Sequence, residues 1–136
     1  MEYVKSYGDL EVYKLSRQLS REIFEITKMF PKEEMYSLTD QVRRSSRSVG
    51  AQIAEAWAKR KYVKHFVSKL TDADGEQQES QHWIETALDC SYITKEIAEN
   101  LLNQYSSIGK MLNSMITKAV TFCTRTDNPI PITEHR

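Results

Sequence analysis

Seven basic residues in the middle of this 136-residue chain could bind phosphate groups. They are Arg43, Arg44 and Arg47, followed by the basic patch of Lys59, Arg60, Lys61 and Lys64. Guanidinium and ammonium groups neutralise nucleic-acid phosphates without reading the base sequence, so such binding weakens as salt concentration rises. The sequence therefore predicts a nucleic-acid-binding surface formed by these residues. A solvated helix end is the alternative interpretation of the basic patch.

Two of the arginines also have a structural interpretation. Successive residues of an α-helix point about 100° apart, so Arg43 and Arg44 cannot face the same way. We expect one of them to turn inward and pair with Glu55 or Glu79, because a half-buried carboxylate needs a hydrogen-bonded cation. These four residues form the predicted structural ion network.

The other reactive residues predict neither a metal site nor an enzyme. Glu79 and His82 have the Glu-x-x-His spacing of di-iron bundles, but those sites need a second such motif and two further glutamates, and the sequence lacks the second motif. Neither a Gly-x-Ser-x-Gly motif nor a P-loop is present. Cys90 has no histidine close by in sequence, and a lone helical cysteine is usually a small core residue. We expect no catalytic residue, no metal and no cofactor.

Charge is unevenly distributed although the net charge is zero. Residues 43–64 contain seven basic residues and one acid, whereas residues 72–99 contain eight acids and one lysine. Two neighbouring helices that neutralise each other would explain this pattern, and so would a basic surface that faces a partner. The sequence leaves both explanations open.

Apolar residues recur at helical spacing in four segments, which predict helices at residues 9–29, 33–58, 63–91 and 95–122. Pro31 ends the first helix because it lacks an N–H group and restricts the preceding residue. The connections are short, so neighbouring helices must be antiparallel. The predicted fold is an all-α, up-down-up-down four-helix bundle over residues 1–123, with a flexible tail at residues 124–136.

Small residues fill the centre of the second predicted helix, from Ser45 to Ala54. Gly50 alone should cost about 1 kcal/mol relative to alanine, and close approach of a neighbouring helix would explain why it is tolerated. The aromatic residues are expected mainly in the core or in a subunit interface. Trp57, beside the basic patch, is the one candidate for contact with a base.

The composition is that of an ordinary soluble globular protein, with 40% hydrophobic and 28% charged residues. No apolar run approaches the length of a membrane span. Cys90 and Cys123 have no metal-binding spacing. We expect a cytoplasmic protein with reduced thiols, and a secreted protein with one disulfide is the alternative.

Several short motifs resemble those of a known family. In order, they are Leu10-x-Val-Tyr13, Phe30-Pro31, Tyr36-x-Leu-x-x-Gln41-x-Arg-Arg44-x-x-x-Ser48, Ile53-Ala-Glu55 and Ala73-x-Gly75-x-x-x-Glu79. Over residues 7–122 the chain resembles the four-helix bundle proteins encoded in intervening sequences of bacterial large-subunit ribosomal RNA genes. That family includes the accessory variability protein of diversity-generating retroelements. The chain departs from the usual family residues at Gln52, Ala56 and Glu76, where asparagine, glycine and serine are typical.

The resemblance implies a left-handed bundle that assembles into a ring-like homopentamer. By analogy with the retroelement relatives, it also implies a basic surface that binds RNA or DNA and a partner protein such as a reverse transcriptase. We therefore expect a non-enzymatic, oligomeric interaction module that binds nucleic acid or protein through the basic patch. A structural or protein-binding scaffold without nucleic-acid activity is the alternative, and no membrane partner is expected.

Overall fold

The computed structural model describes residues 4–123, which are helical throughout apart from short connections. Four long helices follow one another along the chain, and a short fifth helix follows the fourth. They are α1 (Glu11–Thr27), α2 (Asp40–Ala58), α3 (Val63–Asp89), α4 (Lys95–Thr117) and α5 (Ala119–Cys123). No strand occurs between residues 4 and 123. The predicted all-α class is confirmed, and the predicted tail lies outside the described residues.

The segment before α2 differs from the expected continuous helix that begins at residue 33. A 3-10 turn spans Lys32–Glu34, a π-helical turn spans Met35–Thr39, and regular α-helix begins only at Asp40. A π turn holds more residues than an α turn, and here it brings Leu38 and Thr39 into the core. The fourth predicted helix is also interrupted, because α4 ends at Thr117 and α5 carries the remaining apolar residues.

Side-chain contacts show that α2 runs antiparallel to both of its neighbours. Arg43, near the start of α2, contacts Thr27 at the end of α1. Arg44 pairs with Glu79, whereas Glu55, near the end of α2, pairs with Lys69 near the start of α3. These contacts show that α2 runs opposite to α1 and to α3.

Small residues allow α1 and α2 to approach closely, as the sequence predicted. A Cβ atom added to Gly50 would lie 3.2 Å from the Ser16 Oγ atom and 3.6 Å from the Tyr13 ring. The distance to Ser16 is tighter than ordinary van der Waals contact, and the distance to the Tyr13 ring is an ordinary contact. Gly50 is therefore tolerated in the helix because its missing side chain makes room for α1.

One apolar core runs between the four long helices. Apolar residues recur at helical spacing in the sequence from the π turn through α2, and all five of them are buried: Leu38, Val42, Val49, Ile53 and Trp57. The same apolar spacing predicts that Ile97, at the start of α4, faces inward, but Ile97 is 39% exposed and the next residue, Ala98, is buried instead. Tyr105 is fully buried, and this burial raises the pKa of its phenol.

Polar residues interrupt this core where α2 meets α3. The Ser45 and Ser80 hydroxyls lie 2.8 Å apart, and both residues are fully buried. Towards the surface, Ser48 donates a hydrogen bond of 2.9 Å to Glu76. Buried polar groups are stable when they are hydrogen-bonded, so these contacts fix the relative position of the two helices.

Candidate nucleic-acid interface

The basic patch occupies the connection between α2 and α3. Lys59, Lys61 and Lys64 are exposed. In the part of the chain that the structure describes, none of these three lysines forms an ion pair with a carboxylate. Lys61 Nζ lies 5.8 Å from the centroid of the exposed Tyr62 ring. Their ammonium groups are therefore accessible to an anionic partner.

Arg60, the fourth residue of the basic patch, has a structural role. Its guanidinium carbon lies 3.5 Å from the centroid of the Trp57 ring, and its Nε atom donates a hydrogen bond of 2.9 Å to the Trp57 carbonyl oxygen. Burial lowers the pKa of Arg60. Trp57 itself is only 8% exposed. The tryptophan that the sequence suggested for base contact thus packs in the core beneath Arg60.

Arg44 is neutralised by two carboxylates of α3. It pairs with Glu79 and lies 3.5 Å from Glu76. Burial acts to raise the pKa of Glu79, but the hydrogen bonds from Trp83 and Arg44 outweigh it and hold the pKa below its usual value. Arg44 is therefore not part of the candidate binding surface, because Glu76 and Glu79 already neutralise its charge.

The Arg43 side chain packs against α1, where it forms no ion pair with a carboxylate of residues 4–123. Its Nε atom donates a hydrogen bond of 2.7 Å to Thr27 Oγ1, and its guanidinium carbon lies 4.7 Å from the centroid of the Phe24 ring. The predicted ion network also differs at Glu55, which pairs with Lys69 at 3.1 Å. Glu55 lies too far along α2 from Arg43 and Arg44 to reach either of them.

Arg47 is exposed on the same face of the bundle, with its guanidinium carbon 5.6 Å from the Phe24 ring. Arg17 and Arg21 of α1 line a groove with it. These two arginines are not among the residues predicted from the sequence, because they lie on another helix. The spacing of Arg17, Arg21 and Phe24 at three to four residues would have shown that they share a face of α1.

The two ends of the bundle differ in charge. The basic patch lies at one end, and the other end is mainly acidic. Acids at that end are Glu33, Glu34, Asp40, Glu85, Asp89, Glu96 and Glu99. Lys28, Lys32 and Lys95 are the basic residues in the same segments. The uneven charge of the sequence therefore becomes a separation of charge along the bundle.

The remaining reactive residues do not converge. Over residues 4–123, histidine, cysteine, aspartate and glutamate form no group of three that could hold a metal ion. Cys90 is exposed rather than in the core, because it follows the last residue of α3. No helix in this range is both long and apolar enough to cross a bilayer.

Comparisons with known proteins agree with the motifs found in the sequence. Residues 8–114 match the family model described as 23S rRNA-intervening sequence protein. The fold is similar to the crystal structure of a protein of unknown function from the S23 ribosomal protein family of Bacteroides thetaiotaomicron, with a TM-score of 0.71 and 31% identity. That alignment covers 78% of this chain and 95% of the other. A comparison with curated proteins gives no match. The chain belongs to the 23S rRNA-intervening sequence protein family.

Proposed function

We propose that this protein is a non-enzymatic interaction module that binds nucleic acid through the basic patch. The observation that carries the proposal is the accessibility of Lys59, Lys61 and Lys64, which have no carboxylate partner among residues 4–123. Arg60 anchors the basic patch to the core, because its guanidinium group packs on the buried Trp57 ring. The three lysines would bind phosphates, and Arg60 would hold the connection between α2 and α3 in place.

Such binding would be electrostatic and largely independent of base sequence. Each phosphate that a lysine neutralises releases counterions, so three contacts predict that log affinity falls with log salt with a slope of about −2 to −3. RNA and DNA should therefore bind with similar salt dependence. We place this activity in the cytoplasm, where the free thiol of exposed Cys90 would stay reduced.

Two carboxylates with a lowered pKa, Glu34 and Glu79, support a non-catalytic role. The pKa of Glu34 is lowered by hydrogen bonds from Ser37 and Tyr92, and that of Glu79 by bonds from Trp83 and Arg44. Both shifts favour a permanently ionised carboxylate, whereas a general acid or base at neutral pH needs a raised pKa. These groups stabilise the fold.

A second candidate function is a scaffold that binds proteins, including copies of itself. Large apolar side chains are exposed on the connection between α1 and α2, where Tyr36 is 90% exposed and Met29 is 84% exposed. Exposed apolar groups of this kind favour contact with another protein. A homopentamer, or a partner such as a reverse transcriptase, would belong to this candidate function.

Fluorescence anisotropy with labelled generic RNA and DNA, at about 50 mM and about 200 mM salt, tests the proposal. The variant Lys59→Glu/Lys61→Glu/Lys64→Glu should lose at least about tenfold in affinity. The matched control Lys32→Glu/Lys95→Glu/Lys110→Glu changes the net charge equally, at exposed lysines away from the basic patch. The absence of binding at low salt, or an equal loss in both variants, rejects the nucleic-acid module and leaves the scaffold.

A further inference from the structure

A groove between α1 and α2 carries three arginines at its surface. Arg17 and Arg21 of α1 and Arg47 of α2 line it together with Ser20, Phe24 and Glu25. Its volume is about 610 Å³, which lies within the usual range of small-molecule sites. We call these six residues the arginine groove.

The arginines of this groove are not neutralised within the part of the protein that the structure describes. Arg17, Arg21 and Arg47 form no ion pair with any carboxylate of residues 4–123. Glu25, the acid of the groove wall, is paired with Lys28 at 3.1 Å. Like charges that line one groove repel one another, so an anion that enters the groove should be stabilised by all three.

Aromatic rings contact two of the three arginines of the groove, Arg17 and Arg47. Arg17 donates a hydrogen bond of 3.0 Å to the Tyr13 hydroxyl, and its guanidinium carbon lies 5.9 Å from the Tyr13 ring centroid. Arg47, Arg43 and Lys28 lie 5.6, 4.7 and 4.8 Å from the Phe24 ring centroid. Cation–π contacts of this length restrict an arginine side chain, which lowers the entropy that it loses when it binds a ligand.

We propose that the arginine groove binds a nucleoside phosphate, with the phosphate between Arg17, Arg21 and Arg47 and the base against Phe24. Planar guanidinium groups bind phosphate oxygens in a bidentate manner. Bases stack on aromatic rings and on guanidinium planes. A purely carboxylic partner would use the charges but could not stack on Phe24 or on the guanidinium planes beside it, so the combination favours a nucleoside phosphate.

This site is separate from the basic patch. Arg47 of α2 precedes Lys59, the residue that follows α2, by 12 residues, which corresponds to about 18 Å along the helix axis. The ligand is either a free nucleotide or one unit of a single strand. In the second case the inference rests on the proposed nucleic-acid function, and the strand would extend from the groove towards the basic patch.

Titration of the full chain with AMP and with ribose 5-phosphate tests the inference, with the arginine Nε–H signals followed by NMR. AMP should shift these signals saturably and bind at least about fivefold more tightly than ribose 5-phosphate, because only AMP carries a base that can stack. Equal affinity for the two ligands, or no saturable shift with AMP, overturns the proposal.

Two variants locate the site. Arg21→Glu/Arg47→Glu should weaken AMP binding at least about tenfold, whereas the control Lys32→Glu/Lys95→Glu should not. Arg47→Lys keeps the charge but loses the planar fork, so it should weaken AMP and ribose 5-phosphate to a similar extent and leave the preference for AMP unchanged. Unchanged AMP binding by the double arginine variant rejects the groove. Both arginines of this variant are exposed, and circular dichroism verifies its fold.

A ten-nucleotide single strand distinguishes the two sources of the ligand. Tighter binding of the strand than of AMP at equal nucleotide concentration, lost in Arg21→Glu/Arg47→Glu, assigns the groove to a strand. Equal binding assigns it to a free nucleotide. The basic-patch variant Lys59→Glu/Lys61→Glu/Lys64→Glu should retain AMP binding, so the groove can be confirmed even if the proposed function fails.

Discussion

The phenol of Tyr92 donates a hydrogen bond of 2.8 Å to the carboxylate of Glu34, and this bond joins the α1–α2 connection to the α3–α4 connection. The Tyr92 ring also lies 5.4 Å from the Phe30 ring, between centroids. Glu34 accepts a second hydrogen bond, of 2.7 Å, from the Ser37 hydroxyl. One small cluster therefore holds together two connections at the acidic end of the bundle.

The first prediction concerns the pH dependence of this contact. The hydrogen bond to Glu34 raises the pKa of Tyr92 from 10.0 to about 12. The folded state therefore keeps a proton that the unfolded state loses, so the stabilisation is complete below pH 10 and is lost as pH rises towards about 12. Tyr92→Phe lacks this contribution. Denaturant unfolding of both proteins between pH 9 and pH 12 should show that the variant is less stable at pH 9 and that the difference shrinks as pH rises. A difference that stays constant with pH would contradict this explanation.

The second prediction concerns Ser91, which has a positive φ of 61° after the end of α3. The Tyr92 N–H group donates to the Ala87 carbonyl oxygen at 2.9 Å, which closes a helix end of the Schellman type. This position favours glycine, so Ser91→Gly should raise the free energy of unfolding by about 0.5–1 kcal/mol. The control Ser68→Gly, at an exposed position within α3, should lower it by a similar amount. Thermal unfolding of both variants measures the contrast, and destabilisation by Ser91→Gly would refute it.

The third prediction distinguishes the two buried serines of the α2–α3 contact. Ser80 Oγ also bonds the Glu76 carbonyl oxygen at 3.0 Å, whereas the other contact of Ser45 Oγ, to the Val42 carbonyl oxygen, is 3.4 Å long. Ser80→Ala leaves the Ser45 hydroxyl with only that long contact and should cost about 1–2 kcal/mol. Ser45→Ala should cost less, because Ser80 keeps its bond to Glu76. Urea unfolding of the single and double variants tests the order, and the reverse order would show that a different hydrogen-bond arrangement operates.

The fourth prediction compares two helix glycines. A Cβ atom on Gly75 would have no neighbour within 4 Å, so Gly75→Ala should stabilise the protein by about 0.5–1 kcal/mol. A Cβ atom on Gly109 would lie 2.9 Å from Nε2 of the buried Gln77, which is itself hydrogen-bonded to Asp74. Gly109→Ala should therefore be at least about 1 kcal/mol less stable than Gly75→Ala. Equal stability of the two variants in thermal unfolding would show that Gln77 moves aside freely.

The fifth prediction separates Arg44 from the binding residues. Arg44→Ala breaks the pairs with Glu76 and Glu79 and should lower stability, by at most about 1 kcal/mol because the pair is partly exposed. Nucleic-acid affinity, measured by anisotropy, should stay within about twofold of the original protein. A loss as large as that of the basic-patch variant would place Arg44 in the binding surface.

The fold could be predicted well because the apolar spacing of α2 determines which residues face inward. Apolar spacing predicts less at helix ends, where a single apolar residue cannot be assigned to a face. For this reason Ile97 is expected to face inward, whereas Ala98 is the residue that is buried. The π turn before α2 has no comparable signal in the sequence, since its residues continue the same apolar pattern.

The candidate site was harder to predict because it depends on contacts between helices. The sequence showed that Arg43 and Arg44 diverge, but only the position of Glu79 on α3 decides which of them is neutralised. The arginine groove combines Arg17 and Arg21 with Arg47, and these residues become neighbours only once α1 and α2 are packed. The basic patch, by contrast, is contiguous in sequence and could be found without a structure.

The separation of charge between the two ends gives this molecule a permanent electric dipole along its length. A polyanion would turn each approaching molecule so that the lysine end arrives first. The carboxylates would then face the surrounding solution. A nucleic acid coated by such molecules would still present negative charge outward, and it would repel other polyanions rather than condense with them.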